Sequence, residues 1–462
     1  MAGKIKEENI IDRLIITPFQ KFARIEGLGG ILLFGATVIA IFWANSPWGD
    51  IYQSIWEYRI GVDADTFELT KPSMLWVNDA LMAVFFFLIG LEIKRELLIG
   101  ELNSPRKAAL PLFAAMGGMI VPVSLYFILN DNPASASGWG IPMATDIAFS
   151  LAIINALGKR VPVALKVFLT AFAIVDDIGA VLVIAIFYSE EIKYVLILLA
   201  FLPMILLGIL GYLGFYSKYL WIALGVVVWL LFLKAGIHPT IAGVMLAFTV
   251  PIRRQVNVKT YTDQMHKLIH NIETTANVDK TILSDKQIQY LDDLEEWTVK
   301  VQSPLQHLEH KLHYWVAFFI MPLFALANAG VVFDVGLGID WQLVLVIAVS
   351  LFLGKFIGIP LFTYIGLRLK LTELPNSMTF SNVFGAALLA GVGFTMSIFI
   401  SNLAFTDDPV LTNSSKIGIL IGSLVSGLTG YILMRYTCKL TRSPEGYAPV
   451  DPVDGQKKVQ NC

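Results

Sequence analysis

The chain has 462 residues, 56% of them hydrophobic and only 15% charged, with a mean hydropathy of +0.67. A soluble globular chain carries about a quarter charged residues. The composition is therefore that of an integral membrane protein, and a formal net charge of −2 argues against nucleic-acid binding. The charged start lacks a small-residue cleavage site beside a short apolar core, so no signal peptide is expected. Cys438 and Cys462 both fall at the C-terminal end and read as free thiols, with no structural disulfide.

Residues 1–26 form the first element. Ile10, Ile11, Leu14 and Ile15 precede Pro18 and predict an interfacial amphipathic helix on the cytoplasmic side. Apolar runs of about 20 residues then mark spanning helices. They are predicted at 28–44, 75–93, 108–128, 139–157, 163–188, 195–213, 220–233 and 237–250, within a first membrane block at 27–252. A polar, mixed-charge cytoplasmic insertion follows at 253–312, with a helix from Ser284 carrying Ile288, Leu291, Leu294 and Trp297. The second membrane block, 313–437, holds runs at 315–332, 343–367, 378–403 and 417–434, and a cytoplasmic tail occupies 438–462. Between the first two runs, 58–62 and 67–70 flank Asp63 and Asp65 and predict an external β-hairpin whose open edge can pair with a second copy of the chain.

Only Lys234, Ala235 and Gly236 separate the seventh and eighth runs, so one long helix is the alternative. Charge decides between the two. With the runs kept apart, one side collects Lys94, Arg95, Arg106, Lys107, Lys159, Arg160, Arg253, Arg254, Arg368, Lys370 and Arg435. The other collects Asp63, Glu68, Glu190, Glu191, Asp340, Asp407 and Asp408. The positive-inside rule then favours twelve transmembrane helices with both termini cytoplasmic. The runs are too long and continuous for barrel strands, so the fold class is an all-α membrane protein. The fourth run (ATDIAF, 144–149) and the eleventh (GFTMS, 393–397) place small or polar residues at mid-membrane, each in the middle of a three-span group. The groups start on opposite sides, which predicts inverted-topology repeats with two interrupted helices.

Adjacent acids at bilayer depth are costly and mark function. Asp176 and Asp177 point about 100° apart on a helix, so one can line a site while the other meets a neighbouring helix. Lys355, deep in its run, needs a partner, and Asp176 is the expected one. Thr145 and Asp146 mark the fourth-run interruption, where freed backbone groups and half-helix ends face a gap. Lys166 lies nearer a helix end and is expected to snorkel. Asp79 lies at one end of the second run and Glu92, Arg95 and Glu96 at the other, while Glu309, His310 and His313 lead into the ninth. With His307 these histidines share a helical face; a solvated or pH-sensing charge cluster is favoured over zinc. His238 is read as a loop-tip residue. Gly354 and Lys355 lack the glycine spacing of a P-loop, so energy is expected from an ion gradient and no cofactor is needed.

Seven runs carry a specific resemblance: NDALMAVFF (78–86), GLEIKREL (90–97), ATDIAF (144–149), AIVDDIG (173–179), HPTIAG (238–243), PLFALANAG (322–330) and GFTMS (393–397). Together they resemble the bacterial NhaA-type sodium/proton antiporters, from about residue 27 to 434. The resemblance implies a multi-pass inner-membrane exchanger of Na⁺ or Li⁺ for protons, commonly a homodimer joined partly through the hairpin. It implies Asp177 as principal cation and proton ligand, with Asp176 beside it and Lys355 as partner. By the same resemblance Asp146 and Thr145 belong to the crossing of broken helices and Asp79 is an outer-side acid. Glu92, Glu96 and Glu309 fall in the pH-responsive region. The insertion at 253–312 is longer than the loop the resemblance leads one to expect. Two other classes are weighed against the exchanger: a proton-conducting subunit of a redox pump, and a symporter of an organic anion, against which the paired acids argue.

Overall fold

The computed structural model describes residues 28–64, 67–189, 192–275, 282–333, 338–375 and 378–438. The expected N-terminal amphipathic helix and the tail after Cys438 lie outside them. Helix α1 (Leu28–Ala44) turns through 113° into α2 (Gly49–Glu57), whose Tyr52 hydroxyl donates to the Leu326 carbonyl at 2.7 Å. The hairpin is present as β1 (Arg59–Ala64) and β2 (Phe67–Pro72), antiparallel in register from Arg59 opposite Pro72 to Ala64 opposite Phe67.

Eight helices of the described residues are long and apolar enough to cross a membrane. They are α3 (Ser73–Leu98), α4 (Pro105–Leu129), α6 (Val163–Phe187), α7 (Tyr194–Tyr212), α8 (Lys218–Ala235), α12 (Pro304–Asn328), α13 (Trp341–Arg368) and α16 (Pro409–Thr437). Two further pairs qualify only when joined: a 3-10 segment Pro133–Met143 with α5 (Ile147–Ala156), bent by 45°, and α14 (Phe380–Ala390) with α15 (Phe394–Ala404), bent by 46°. Counting these and the α1–α2 pair gives up to eleven spans, and α9 (Pro239–Thr249) is a shorter apolar helix. Gly236, at φ 81°, ends α8, and Pro239 opens α9 at a position where its missing N–H costs nothing.

One contiguous core joins α1, α3, α4, α6 and α12 to α16. A second, smaller core sets α7, α8, α9 and the start of α12 against Leu91 of α3. Outer faces carry exposed Leu, Ile, Val and Phe, as a lipid-facing surface requires. The α4–α13 crossing is unusually close. A Cβ on Gly117 would lie 2.1 Å from the Gly358 carbonyl oxygen, and one on Gly358 would lie 2.1 Å from that of Gly117. Only glycine permits such backbone contact, the device membrane helices use in place of a hydrophobic driving force.

The insertion folds into α10 (Val258–Thr275) and α11 (Asp285–Val301), which pack together. Ser284 and Gln287 cap α11 reciprocally, and Gln287 also donates to the Thr275 carbonyl at 3.2 Å. Helix α12 forms one span from Pro304, with a π-turn at Val316–Ile320, so Glu309, His310 and His313 stand on the same helix that continues to Asn328.

Because neither α4 nor α13 can yield backbone room, Gly358→Val is expected to lower stability by about 1–3 kcal/mol. A drop in the melting temperature of the detergent-purified protein is the measurement, with exposed Gly208→Val, whose Cβ meets nothing within 4 Å, as the neutral control.

Candidate functional site

The site begins where two helices stop. After Met143 the backbone turns extended at Ala144, and Asp146 caps α5 by accepting the Phe149 N–H at 3.1 Å. Asx side chains suit this position because they satisfy otherwise orphaned N–H groups. The second stop, at Gly391–Gly393 between α14 and α15, lies against the first. Asp146 N–H donates to the Val392 carbonyl (2.7 Å), the Thr145 hydroxyl to that of Ala390 (3.1 Å) and Ser150 to that of Leu389 (2.8 Å). The Asp146 carboxylate also accepts from the Thr395 N–H at 3.1 Å and from the Thr395 hydroxyl. Ser423 of α16 accepts the Gly393 and Phe394 N–H groups, both at 3.2 Å. Each freed backbone group named here has found a partner, as a buried, non-helical backbone must.

Helices α6 and α13 bring the charges to this junction. Lys355, Asp176 and Asp177 are 0%, 1% and 2% exposed. The Lys355 ammonium donates to Asp176 Oδ2 (2.9 Å), to Thr145 Oγ1 (3.0 Å) and to the Met143 carbonyl, and stands 5.8 Å from the Phe172 ring centroid. Its three protons are thereby used. A π-turn, Ser350–Gly354, immediately precedes Lys355, and another, Val77–Leu81, contains Asp79. Such turns interrupt α-helices mostly at functional positions. Asp176 Oδ1 has no hydrogen-bond partner among the described residues, and no ion pair engages Asp177 there. The tandem acids are thus unequal: one neutralised by a buried lysine, the other not.

Asp79 and Arg95 lie about 24 Å apart along α3. At the Asp79 end, Lys71 of β2 pairs with the carboxylate at 2.6 Å, and His238 Nε2 lies 3.8 Å from its other oxygen. His238 lies in the loop between α8 and α9, and its side chain, 9% exposed, stands beside an acid and edge-on to Phe399 at 5.2 Å. Pro239 starts α9 directly after it, and the His238 ring caps that helix at Thr240. Buried Asn78 and Asn328, with half-buried Asn402, form an adjoining amide network.

At the Arg95 end the guanidinium bridges Glu96 (2.9 Å) and Glu309 (2.8 Å), linking α3 to α12. Glu92 is half-buried one turn further in. A cavity of about 780 Å³ opens here, lined by Glu96, Asn155, Lys166, His310 and His313. It reaches Ala171, about 9 Å along α6 from Asp177. Lys166 donates to Asn155 at 2.9 Å. His307 pairs with Gln302 and His310 stacks edge-on against Tyr314, and no metal-holding cluster of His, Cys, Asp and Glu is found among the described residues.

Several members of these sites were not singled out from sequence. Thr395 lay inside the GFTMS run, and its place at a helix break was the available signal. Ser423, Lys71 and the Met143 carbonyl gave none. Lys416 is a second buried lysine, 8% exposed, because α16 begins at Pro409 and not at 417.

The chain matches known proteins over most of its length. The Na⁺/H⁺ antiporter 1 family matches residues 20–434. A protein of Oleidesulfovibrio alaskensis named Na(+)/H(+) antiporter NhaA is 44% identical over 438 residues, covering 94% of this chain and 97% of its own. One of the same name from Bacteroides thetaiotaomicron is 45% identical over 429 residues, covering 91% and 98%. Among solved structures, the sodium proton antiporter MjNhaP1 of Methanocaldococcus jannaschii aligns with 92% of this chain and 99% of its own at 11% identity, with a TM-score of 0.44.

Removing one member of a buried ion pair strands the other charge, at about 3–5 kcal/mol, whereas replacing both with apolar groups is often neutral. Lys355→Met is therefore expected to destabilise the protein, and Lys355→Met with Asp176→Leu to recover most of the loss. Melting temperatures across this double-mutant cycle measure the coupling.

Proposed function

The chain belongs to the Na⁺/H⁺ antiporter 1 family, and from that premise we propose that it is a secondary transporter exchanging Na⁺ or Li⁺ for protons at Asp177. The observation that carries the reading is the inequality of the tandem acids. Asp176 is held by Lys355, while Asp177, equally buried, has no ion-pair partner among the described residues.

A hard cation seeks oxygen ligands. Ionised Asp177, with Asp176, the Thr145 hydroxyl and carbonyls of the broken helices, can supply them. A proton on Asp177 cancels the charge that makes cation binding favourable, so the site holds one or the other. The two carboxyls and Lys355 interact closely enough to titrate as a unit. If only the proton-loaded and cation-loaded forms change sides, exchange is obligatory. Release of more than one proton per cation makes it electrogenic and responsive to membrane potential.

Under this reading the chain crosses the inner membrane twelve times with both termini cytoplasmic. The bent pairs at 133–156 and 380–404 are the interrupted fourth and eleventh spans of an inverted repeat, and α9 is a short eighth span. Asp146 offsets the positive half-helix ends, and Asp79 is the acid of the outer passage. The cavity at Arg95 is the cytoplasmic entrance, where Glu92, Glu96, Glu309, His310 and His313 set the pH response. The hairpin edge joins two copies in a homodimer.

In proteoliposomes carrying an internal pH dye, Asp177→Asn is expected to reduce Na⁺-driven proton movement to the protein-free background while leaving the melting temperature near wild type. Full exchange by a folded Asp177→Asn protein would remove this residue from the site. In the wild type, competition also predicts that half-saturating Na⁺ rises about tenfold per unit fall in pH for each proton displaced, below the pH where the pair takes up protons. Initial rates over a range of pH check this.

A further inference from the structure

A second cavity, of about 960 Å³, opens on the same end of the molecule as the basic loops; it shares Glu101, Val167 and Ala171 with the cavity beside Arg95, and its cations take no part in the proposed exchange. The start of α4, the start of α6 and the loop after α13 enclose it. Arg106, Lys107 and Lys370 line it, against two carboxylates, Glu101 and Glu373. None of the three cations forms an ion pair among the described residues. Arg106 and Lys107 sit in the first turn of a 25-residue helix whose N-cap residue, Ser104, makes no capping bond with its side chain. Unused N–H groups and the helix dipole there favour an anion.

Two further observations point to a ligand. Thr372 also lines the cavity and is only 5% exposed, yet its hydroxyl has no hydrogen-bond partner among the described residues. A buried hydroxyl left unpaired in this way is uncommon. Lys370 has a φ of 56°, the sole positive value outside glycine among the described residues. It closes α13, with the Leu371 N–H bonded to the Gly366 carbonyl at 3.1 Å, at a position where glycine is the unstrained choice. A lysine kept in strained backbone beside an anion-ready helix end suggests that its side chain is needed there.

The lower wall of the cavity is apolar, with Leu110, Pro111 and Phe168, and its rim includes Val163, 75% exposed toward the lipid-facing surface. A free anion has no use for such a wall, whereas an acyl chain does. We propose that this cavity binds the phosphate of an anionic phospholipid from the leaflet on the basic-loop side. Arg106, Lys107, Lys370 and the Thr372 hydroxyl take the headgroup, and the acyl chains lie over the apolar wall. A lipid seated here ties the α13–α14 connection to α4 and α6, the helices that carry Lys355's close packing and the aspartate pair.

The test uses the full-length protein, purified in detergent, stripped of lipid and titrated with phosphatidylglycerol, phosphatidylcholine or inorganic phosphate, reading melting temperature. Phosphatidylglycerol alone is expected to raise it. Arg106→Gln and Lys107→Gln should each weaken the apparent phosphatidylglycerol affinity about fivefold, the value of one cation near an anionic headgroup. Lys370→Gly separates the lipid role from the helix-end role. It relaxes the backbone, so the lipid-free melting temperature should hold or rise while the lipid affinity falls about fivefold. Unchanged affinity in Lys370→Gly and in the two glutamine variants would overturn the proposal. So would an equal response to phosphatidylcholine, which would indicate apolar contact alone, or to inorganic phosphate, which would indicate a soluble-anion site.

Discussion

The buried pair between Lys355 and Asp176 is the constraint around which the rest of the molecule is arranged. An ammonium and a carboxylate with almost no solvent contact are costly unless their hydrogen-bonding capacity is met, and Asp176 Oδ1 has no partner among the described residues. Lys355 meets its own by reaching the Met143 carbonyl and Thr145, both at the first helix break. One side chain thus ties α13 to α6 and to the gap between the 3-10 segment and α5. The same pair makes the neighbouring aspartate distinctive: Asp177 shares the burial without sharing the lysine.

The helix breaks follow from that arrangement. Unwound backbone inside a membrane protein must be satisfied by protein groups. The two breaks satisfy each other, through Asp146, Thr145 and Thr395, with Ser150 and Ser423 completing the set. A carboxylate at this point caps α5 and accepts from the first turn of α15 together, so it acts as a joint between two half-helices. The close approach of α4 and α13 at Gly117 and Gly358 holds the lysine-bearing helix in place from the other side. In the proposed exchange, rigid packing and satisfied breaks surround the unequal acid pair at which cation and proton compete.

The two ends of α3 hold two further charge clusters, around Asp79 and around Arg95. Neither touches the central pair. Each links α3 to a neighbour, β2 and the His238 turn at one end and α12 at the other. In the proposed exchange they flank the path from either side, and the cavity at Arg95 stops about two turns of α6 short of Asp177.

Much of the local structure was readable from sequence because it is governed by near neighbours. Apolar run lengths located the long helices, Ser284 ahead of Ile288, Leu291 and Leu294 announced the start of α11, and the segments flanking Asp63 announced the hairpin. Tandem acids in an apolar run marked, by their cost alone, the residues on which the proposed exchange is built. Where one helix begins was less legible: α16 starts at Pro409, which moved Lys416 inside. Tertiary structure alone decided which groups meet. Lys355 is 179 positions from Asp176 and Thr145 is 245 from Ala390 in sequence, and no periodicity encodes such distances. His238 was readable as a loop residue because its neighbours in the chain are loop-forming, but only the packed structure sets Asp79 and Phe399, from α3 and α15, against it. Burial cost and helix period are properties of a segment, whereas partnership is a property of the packed whole.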